Sequence, residues 1–145
     1  MSDHEPESGA PSRRLHDYLI ERGLPPAVCR RGLPGLVSGW EAVARDAARY
    51  DLTLDDWRND LDLRDIIAGA FELAPEDERI ATRDALEGAD LLFRDGTVDA
   101  GRPLWGSTEH HADAAEVARQ WWYRRYPAHP GHTMREDLVA AGVMR

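Results

Sequence analysis

The sequence has no lysine, a single cysteine and no long apolar run. Its 18 basic residues are all arginine and are outnumbered by 27 aspartates and glutamates, which gives a formal charge of −9 at pH 7. A negative overall field repels the phosphate backbone of nucleic acids and attracts basic surfaces. We therefore expect a protein partner of basic character, and we do not expect duplex nucleic acid to be the main ligand.

The scarcity of cysteine and of apolar runs bears on the cellular compartment. Cys29 has no second cysteine with which to form an internal disulfide, which suits a reducing environment. No apolar run approaches the roughly 18 residues of a membrane span. Residues 1–12 have neither the basic start nor the apolar centre of an export signal. These features predict a cytoplasmic protein without a membrane segment.

Motifs that carry chemistry are also missing from the sequence. It contains no glycine-rich phosphate loop, nucleophile elbow, HExxH or CxxC motif, so we predict no catalytic residue and no cofactor. The pairs His110-His111 and His129/His132 have spacings that could place imidazoles on one zinc ion. Adjacent histidines diverge on a helix, however, and a Pro-Gly turn separates the second pair, so we predict surface histidines and no metal site.

Apolar residues recur at steps of three and four, the period of amphipathic helices. No run of alternating β-branched residues is long enough to predict a strand. The pattern favours an all-α fold, a compact single-domain bundle of about six or seven helices over residues 13–145. Residues 1–12 contain Pro, Gly, Ser and acidic residues and, apart from Met1, no large apolar side chain, so we expect a disordered tail there.

Glycine, proline and capping patterns predict the helix boundaries in the first half of the chain. Gly23 should end a helix that starts at Arg13, and Gly32 should end a short helix opened by Pro25 or Pro26. A turn at residues 33–35 then precedes a helix over residues 36–50. Thr53 and Asp56 suggest a capping box, and the apolar stripe that follows changes face near residues 60–62, which predicts a break there.

The same signals predict three more helices. Pro75, followed by three acidic residues, opens a helix that should run to Gly96. A loop over residues 96–107 should carry Leu104 and Trp105 inward, and a helix should follow from about Glu109 to Arg125. Thr133 and Glu136 suggest a second capping box before a short terminal helix. The segment WWYRRY is the best candidate for an extended exception.

Two segments are candidate binding surfaces. The first is an acidic segment in which carboxylates could meet a basic protein surface or a divalent cation, although the EF-hand pattern of calcium loops is not met. The second is the aromatic and arginine run near the C-terminus, where Trp, Tyr and Arg could pack in the core or anchor a partner. Solvated caps and core packing remain the alternatives. The candidate residues are Asp55, Asp56, Asp60, Asp62, Trp122, Tyr123, Arg124 and Arg125.

The segments GLPGLVSGWEAVARDAARYDLTLDDWRNDLDLRDII, PLWG and WWYRRYP occur in this order along the chain. In this arrangement the sequence resembles a group of small bacterial proteins over about residues 13–140. The resemblance implies no activity and no functional residues. It adds only that these segments belong together in one chain.

The leading functional hypothesis is therefore a small acidic interaction protein, as an inhibitor, an immunity-like protein or an accessory subunit would be. The alternative is a metal-dependent enzyme or a small-molecule-binding domain that uses histidines or aspartates at a cleft between helices. A third option is single-stranded nucleic acid stacked on the arginine and aromatic run. The sequence does not indicate an oligomeric state.

Overall fold

The computed structural model of the protein describes residues 5–105 and 119–145. Most of these residues are helical, and a small antiparallel sheet joins β1 to β2 with Val98 opposite Tyr126. Short 3₁₀ turns precede α3 and β2, at Ala47–Arg49 and Trp121–Arg124. The helices and strands are α1 (Glu5–Glu21), α2 (Pro26–Asp46), α3 (Leu54–Leu73), α4 (Glu76–Asp95), β1 (Thr97–Asp99), β2 (Arg125–Pro127) and α5 (His132–Ala140).

The all-α expectation is broadly right, but the described residues form five helices and not six or seven. The predicted end of a short helix at Gly32 is confirmed, but the next helical segment follows across a kink, so the two segments together form α2. Gly32 adopts φ 62° and ψ −155°, and the chain returns to helical geometry at once. Pro34 then lies near the start of the second half of the helix, where its missing N–H costs little. The turn predicted at residues 33–35 was therefore wrong, and Leu33 and Leu36 are buried.

The break predicted near residues 60–62 was also wrong, because α3 is continuous from Leu54 to Leu73. The polar side chains that interrupt its apolar stripe make contacts inside the molecule, so the helix has no reason to end there. The capping box at its start is confirmed, since the side chains of Thr53 and Asp56 each accept a hydrogen bond from the other residue's backbone N–H.

The predicted helix between Glu109 and Arg125 lies mostly outside the described residues. Its last residues are not α-helical, since Trp121–Arg124 form a 3₁₀ turn and Arg125–Pro127 pair with β1. The exception anticipated for WWYRRY is therefore partly extended. The first helix begins at Glu5, within the segment expected to be a tail.

Helices α3 and α5 cap each other. Asp51, just before α3, accepts a hydrogen bond from the backbone N–H of Thr133 at 2.9 Å. Asp137 of α5 accepts one from the backbone N–H of Leu54 at 2.8 Å. The capping box predicted for Thr133 was wrong, because Gly131 is the N-cap residue and a distant aspartate supplies the acceptor. A Cβ at Gly131 would collide with Asp51, so only glycine fits there.

One apolar core includes side chains from all five helices. At its centre, the ring of Phe93 lies 4.7 Å from that of Trp40 and 5.6 Å from that of Trp57, measured between centroids. All three side chains are fully buried. Aromatic pairs at this spacing add to the free energy of apolar burial. Among the described residues, no helix is both long and apolar enough to cross a bilayer.

Helices α2 and α4 run side by side in the same direction. Gly32 lies beside Glu78, the indole Nε1 of Trp40 donates to Asp90 at 2.8 Å, and Ala48 lies against Gly96. The buried side of α4 comprises Thr82, Leu86, Ala89 and Phe93. This packing fixes which side of α4 faces outward.

Candidate functional site

The acidic segment singled out from the sequence lies in the first half of α3, and most of its carboxylates have partners within the molecule. Asp55 is exposed, whereas Asp56 belongs to the capping box. Asp60 accepts a hydrogen bond from the hydroxyl of Tyr50 at 2.7 Å, and Asp62 accepts one from the hydroxyl of Tyr123. Three of the four candidate aspartates therefore accept hydrogen bonds within the fold.

Burial decides how Asp60 and its tyrosine partner titrate. Desolvation raises the pKa of the Asp60 carboxyl, and the nearby charge of Asp56 raises it further, while the hydrogen bond from Tyr50 acts in the opposite direction. The pKa values of Tyr50 and Tyr123 are raised, first by burial and then by their bonded aspartates. Both tyrosines are therefore hydrogen-bond donors at neutral pH.

Arg64 on α3 makes a buried ion pair that the sequence did not reveal. Its Nε and Nη2 donate to the two carboxylate oxygens of Asp90 on α4, at 2.9 and 3.0 Å. Trp40 donates to the same carboxylate, and the guanidinium lies 4.7 Å from the ring centroid of Trp122. In the sequence Arg64 occupies the next position of the apolar stripe of α3 and interrupts it, whereas the structure buries this side chain with two hydrogen bonds and one ring contact.

The aromatic and arginine run also makes internal contacts. Trp122 is only 3% exposed and belongs to the core. Arg124 forms an ion pair with Asp99 at 2.7 Å, which lowers the pKa of that carboxyl. Arg125 donates to the hydroxyl of Thr97 at 2.7 Å. These contacts join β2 to β1, so Trp122 offers no surface to a partner and both arginines already have acceptors.

The described histidines are exposed and do not cluster with other metal ligands. His132 pairs with Glu136 at 2.9 Å, one helical turn away, and His129 is separately exposed. His110 and His111 lie outside the described residues. Within residues 5–105 and 119–145, no group of three histidine, cysteine, aspartate or glutamate side chains is placed to hold a metal ion.

A cleft of about 260 Å³ lies where α1 and α3 meet the residues just before β2. Its wall includes Asp65, which accepts hydrogen bonds from Arg22 and Gln120. Within the described part of the chain, Nε1 of Trp122 and Oε1 of Gln120 have no hydrogen-bond partner. Both atoms are inaccessible to solvent, so the cleft does not present them to a ligand.

A wider cleft of about 460 Å³ lies at the end of α2. Two of its lining residues have structural roles, since Tyr50 donates a hydrogen bond to Asp60 and Asp51 caps α5. The other charged lining residues are Arg45, Asp46 and Arg49, so the cleft carries charges of both signs. It contains no grouping of side chains that indicates a reaction.

A different surface combines exposed apolar side chains with carboxylates, and we call it the outer face of α4. Ile80 is 61% exposed and Leu91 is 63% exposed, and they lie on the same side of the helix, three turns apart. Asp84 and Glu87 are exposed between them. The outer face of α4 is defined as Ile80, Ala81, Asp84, Ala85, Glu87, Gly88, Leu91 and Leu92.

The acids of this face are not neutralised within the described residues, where no ion pair involves Asp84 or Glu87. Two arginines of the same helix lie near rings to either side. The guanidinium of Arg83 is 5.7 Å from the ring centroid of Phe71, and that of Arg94 is 4.0 Å from that of Trp121. The outer face is therefore both acidic and apolar.

Sequence reasoning missed this face, although a signal was present. Helical periodicity predicts a buried face of α4 made of Thr82, Ala85, Leu86, Ala89, Leu92 and Phe93, which leaves Ile80 and Leu91 without a place in the core. The prediction was wrong for Ala85 and Leu92, which are exposed beside the buried side of the helix. The spacing of eleven residues between Ile80 and Leu91 puts both on the opposite side of the helix. Large apolar residues left over after the buried stripe is assigned were the available clue.

Comparison with known proteins gives no relative from which a role could be transferred: no protein-family model, no curated protein and no solved structure matches the chain.

Proposed function

We propose that this protein is an interaction module that binds a basic protein partner through the outer face of α4. The observation that carries the proposal is the exposure of Ile80, Leu91 and Leu92 on one helix, together with Asp84 and Glu87, whose charges are not neutralised among the described residues. An inhibitor, an immunity-like protein or an accessory subunit acts in this way, by presenting a preformed surface to its target.

The two kinds of side chain have different roles in such a complex. Burial of exposed apolar surface supplies affinity at about 25 cal/mol per Å² removed from water, less the costs of association. Carboxylates at the edge of an interface mainly raise the association rate and select a basic partner. The chain charge of −9 adds a field that acts beyond the contact itself. Binding should therefore weaken as salt concentration rises.

Photo-crosslinking in cells of the source organism tests this proposal. A photoreactive phenylalanine replaces Leu91, and the matched control carries it at Val139, which is 45% exposed on α5. We expect one discrete protein adduct from position 91 and none from position 139. The adduct should disappear when Asp84→Arg and Glu87→Arg are added, because the charge that attracts the partner is then reversed.

The charge-reversed variant needs its own control for folding. Asp84 and Glu87 are exposed, so their replacement should change the free energy of unfolding by less than about 0.5 kcal/mol each. An adduct that survives charge reversal in a folded variant, or equal adducts from positions 91 and 139, contradicts the proposal.

A further inference from the structure

A groove runs beside the outer face of α4. It has a volume of about 250 Å³ and lies between α2 and α4. Glu41 and Arg45 of α2 form one wall, and Leu92 stands at one end of the other. Its floor consists of the small residues Ala85, Gly88 and Ala89.

Gly88 keeps this floor open. A Cβ placed on Gly88 would meet no atom within 4 Å, so the space above the residue is empty. The groove is smaller than the pockets of about 300–1,000 Å³ that hold drug-sized ligands. Its size suits one apolar side chain inserted by a macromolecular partner.

Four exposed residues of α4 have the alternating three- and four-residue spacing that is typical of a contact between two helices. Ala81, Ala85, Gly88 and Leu92 are separated by four, three and four residues, which is the seam of an interhelical contact. Small residues in such a seam allow close approach of a second helix. Helix-in-groove recognition uses this arrangement, with apolar anchors spaced along the bound helix.

A second copy of this chain pairs unfavourably when the α4 helices meet through their largest exposed side chains, Ile80 and Leu91. If two α4 helices paired in antiparallel fashion with Ile80 opposite Leu91, Asp84 of one copy would face Glu87 of the other. If they paired in parallel, each carboxylate would face its own equivalent. Both arrangements place like charges in contact, which is unfavourable. A helix that carries arginine or lysine at those positions satisfies the same geometry with favourable pairs.

We infer that the partner docks as a basic amphipathic helix laid along α4, with one apolar side chain inserted over Gly88 into the groove between α2 and α4. This inference rests on the proposed function and adds the form of the partner and the position of its anchor.

Synthetic peptides and groove variants test the inference directly. The probe is a labelled helical peptide of three heptads with leucine on one face and arginine beside it. One control peptide has glutamate in place of each arginine, and a second has serine in place of each leucine. Fluorescence anisotropy at low salt should show binding of the arginine–leucine peptide to the full chain and at least tenfold weaker binding of both controls.

Two substitutions of Gly88 test the contribution of the groove to peptide binding without changing the charges of the surface. Gly88→Leu fills the groove and should weaken binding of the arginine–leucine peptide at least tenfold, whereas Gly88→Ala should change it less than threefold. Both replace glycine by a better helix former at an open position, so both variants should remain folded. Thermal unfolding of each variant checks this expectation.

The possible failures distinguish this inference from the proposed function. If Gly88→Leu leaves peptide affinity unchanged while Asp84→Arg and Glu87→Arg abolish the crosslinked adduct, the basic partner stands and the groove anchor is overturned. If the arginine and glutamate peptides bind equally, or neither binds, the basic helix is overturned. A dimer in sedimentation analysis that dissociates on Gly88→Leu would assign the groove to a second copy.

Discussion

Helices α3 and α4 are each 20 residues long and rich in carboxylates, but they use these carboxylates differently. On α3, Asp60 and Asp62 accept hydrogen bonds from tyrosines of other elements, and Asp56 caps the helix. On the outer face of α4, Asp84 and Glu87 have no ion pair within the described residues. The comparison shows that an acidic segment becomes available for binding only where no donor from elsewhere in the fold reaches it.

The strongest test of this comparison removes the ion pair that joins the two helices. Arg64→Ala leaves the Asp90 carboxylate, whose side chain is 19% exposed, with the hydrogen bond from Trp40 but without its bidentate donor. Breaking a fully buried pair costs about 3–5 kcal/mol, so we expect a loss near the lower end, about 3 kcal/mol. Urea denaturation measures the loss. Asp84→Ala on the outer face is the control, with an expected change below about 0.5 kcal/mol. Equal effects of the two substitutions would contradict the distinction between internal and free carboxylates.

Replacing glycine by alanine should change the free energy of unfolding in opposite directions on the two helices. Gly69 of α3 lies against the ring of Tyr18, so the methyl group of Gly69→Ala would collide with it and cost about 1–3 kcal/mol. Gly88 of α4 faces open space, so Gly88→Ala should stabilise the protein by about 0.5–1 kcal/mol. Chemical denaturation of both variants measures the two free energies, and effects of the same sign would refute the packing described for α1 and α3.

Two tyrosine-to-phenylalanine substitutions test whether the contact between Asp62 and Tyr123 contributes to stability. Tyr123→Phe removes the hydroxyl donor while keeping the ring, so we expect a loss of about 1 kcal/mol. The hydroxyl of Tyr126 has no hydrogen-bond partner among the described side chains, so Tyr126→Phe should cost less than about 0.5 kcal/mol. Denaturant midpoints of the two variants decide the question, and indistinguishable midpoints would count against a structural role for Asp62.

The smallest expected effect is a pH dependence at Asp60. Burial raises the pKa of this carboxyl above its unfolded value, so its protonation stabilises the fold at low pH and this contribution is lost as pH rises through the folded pKa. Asp60→Asn keeps an acceptor for Tyr50 without a charge. The variant should therefore gain stability relative to the native chain as pH rises from the unfolded value of about 4 through the raised folded pKa of Asp60.

The pKa of Asp99 is shifted in the opposite direction from that of Asp60, so the two carboxylates can be compared. The pKa of Asp99 is lowered, chiefly by the hydrogen bond from Arg124, so its stabilising contribution is lost as pH falls through the folded pKa. Asp99→Asn should therefore lose stability relative to the native chain as pH rises from the lowered folded pKa to the unfolded value of about 4, and should show no further change above it. Unfolding free energies at several pH values measure both slopes, and parallel slopes would contradict the environments described.

Local signals in the sequence predicted much of the helical structure. Thr53 and Asp56 marked the start of α3, and Pro75 marked the start of α4, because capping patterns and proline act through neighbouring backbone groups. The burial of Trp40 and Phe93 followed from helical periodicity. These features depend on residues within a few turns of one another, and a single sequence carries that information.

The remaining features depend on contacts between distant parts of the chain. Arg64 appeared to interrupt an apolar stripe because its partner Asp90 lies 26 residues away. Thr133 appeared to be a cap because the true acceptor, Asp51, lies 82 residues away. The candidate surface was placed on Trp122 for the same reason, since only the fold shows that other elements cover that ring.

The bidentate ion pair between Arg64 and Asp90 also affects the direction in which the outer face of α4 points. Apolar contacts between helices persist through small rotations, whereas two parallel N–H···O bonds are satisfied in only one relative orientation. Since the Asp90 carboxylate lies at the edge of the buried side of α4, this pairing helps to set the rotation of the helix about its own axis. The direction in which Ile80 and Leu91 point outward is therefore set by the apolar side of the helix together with a charge pair about a quarter-turn away from them.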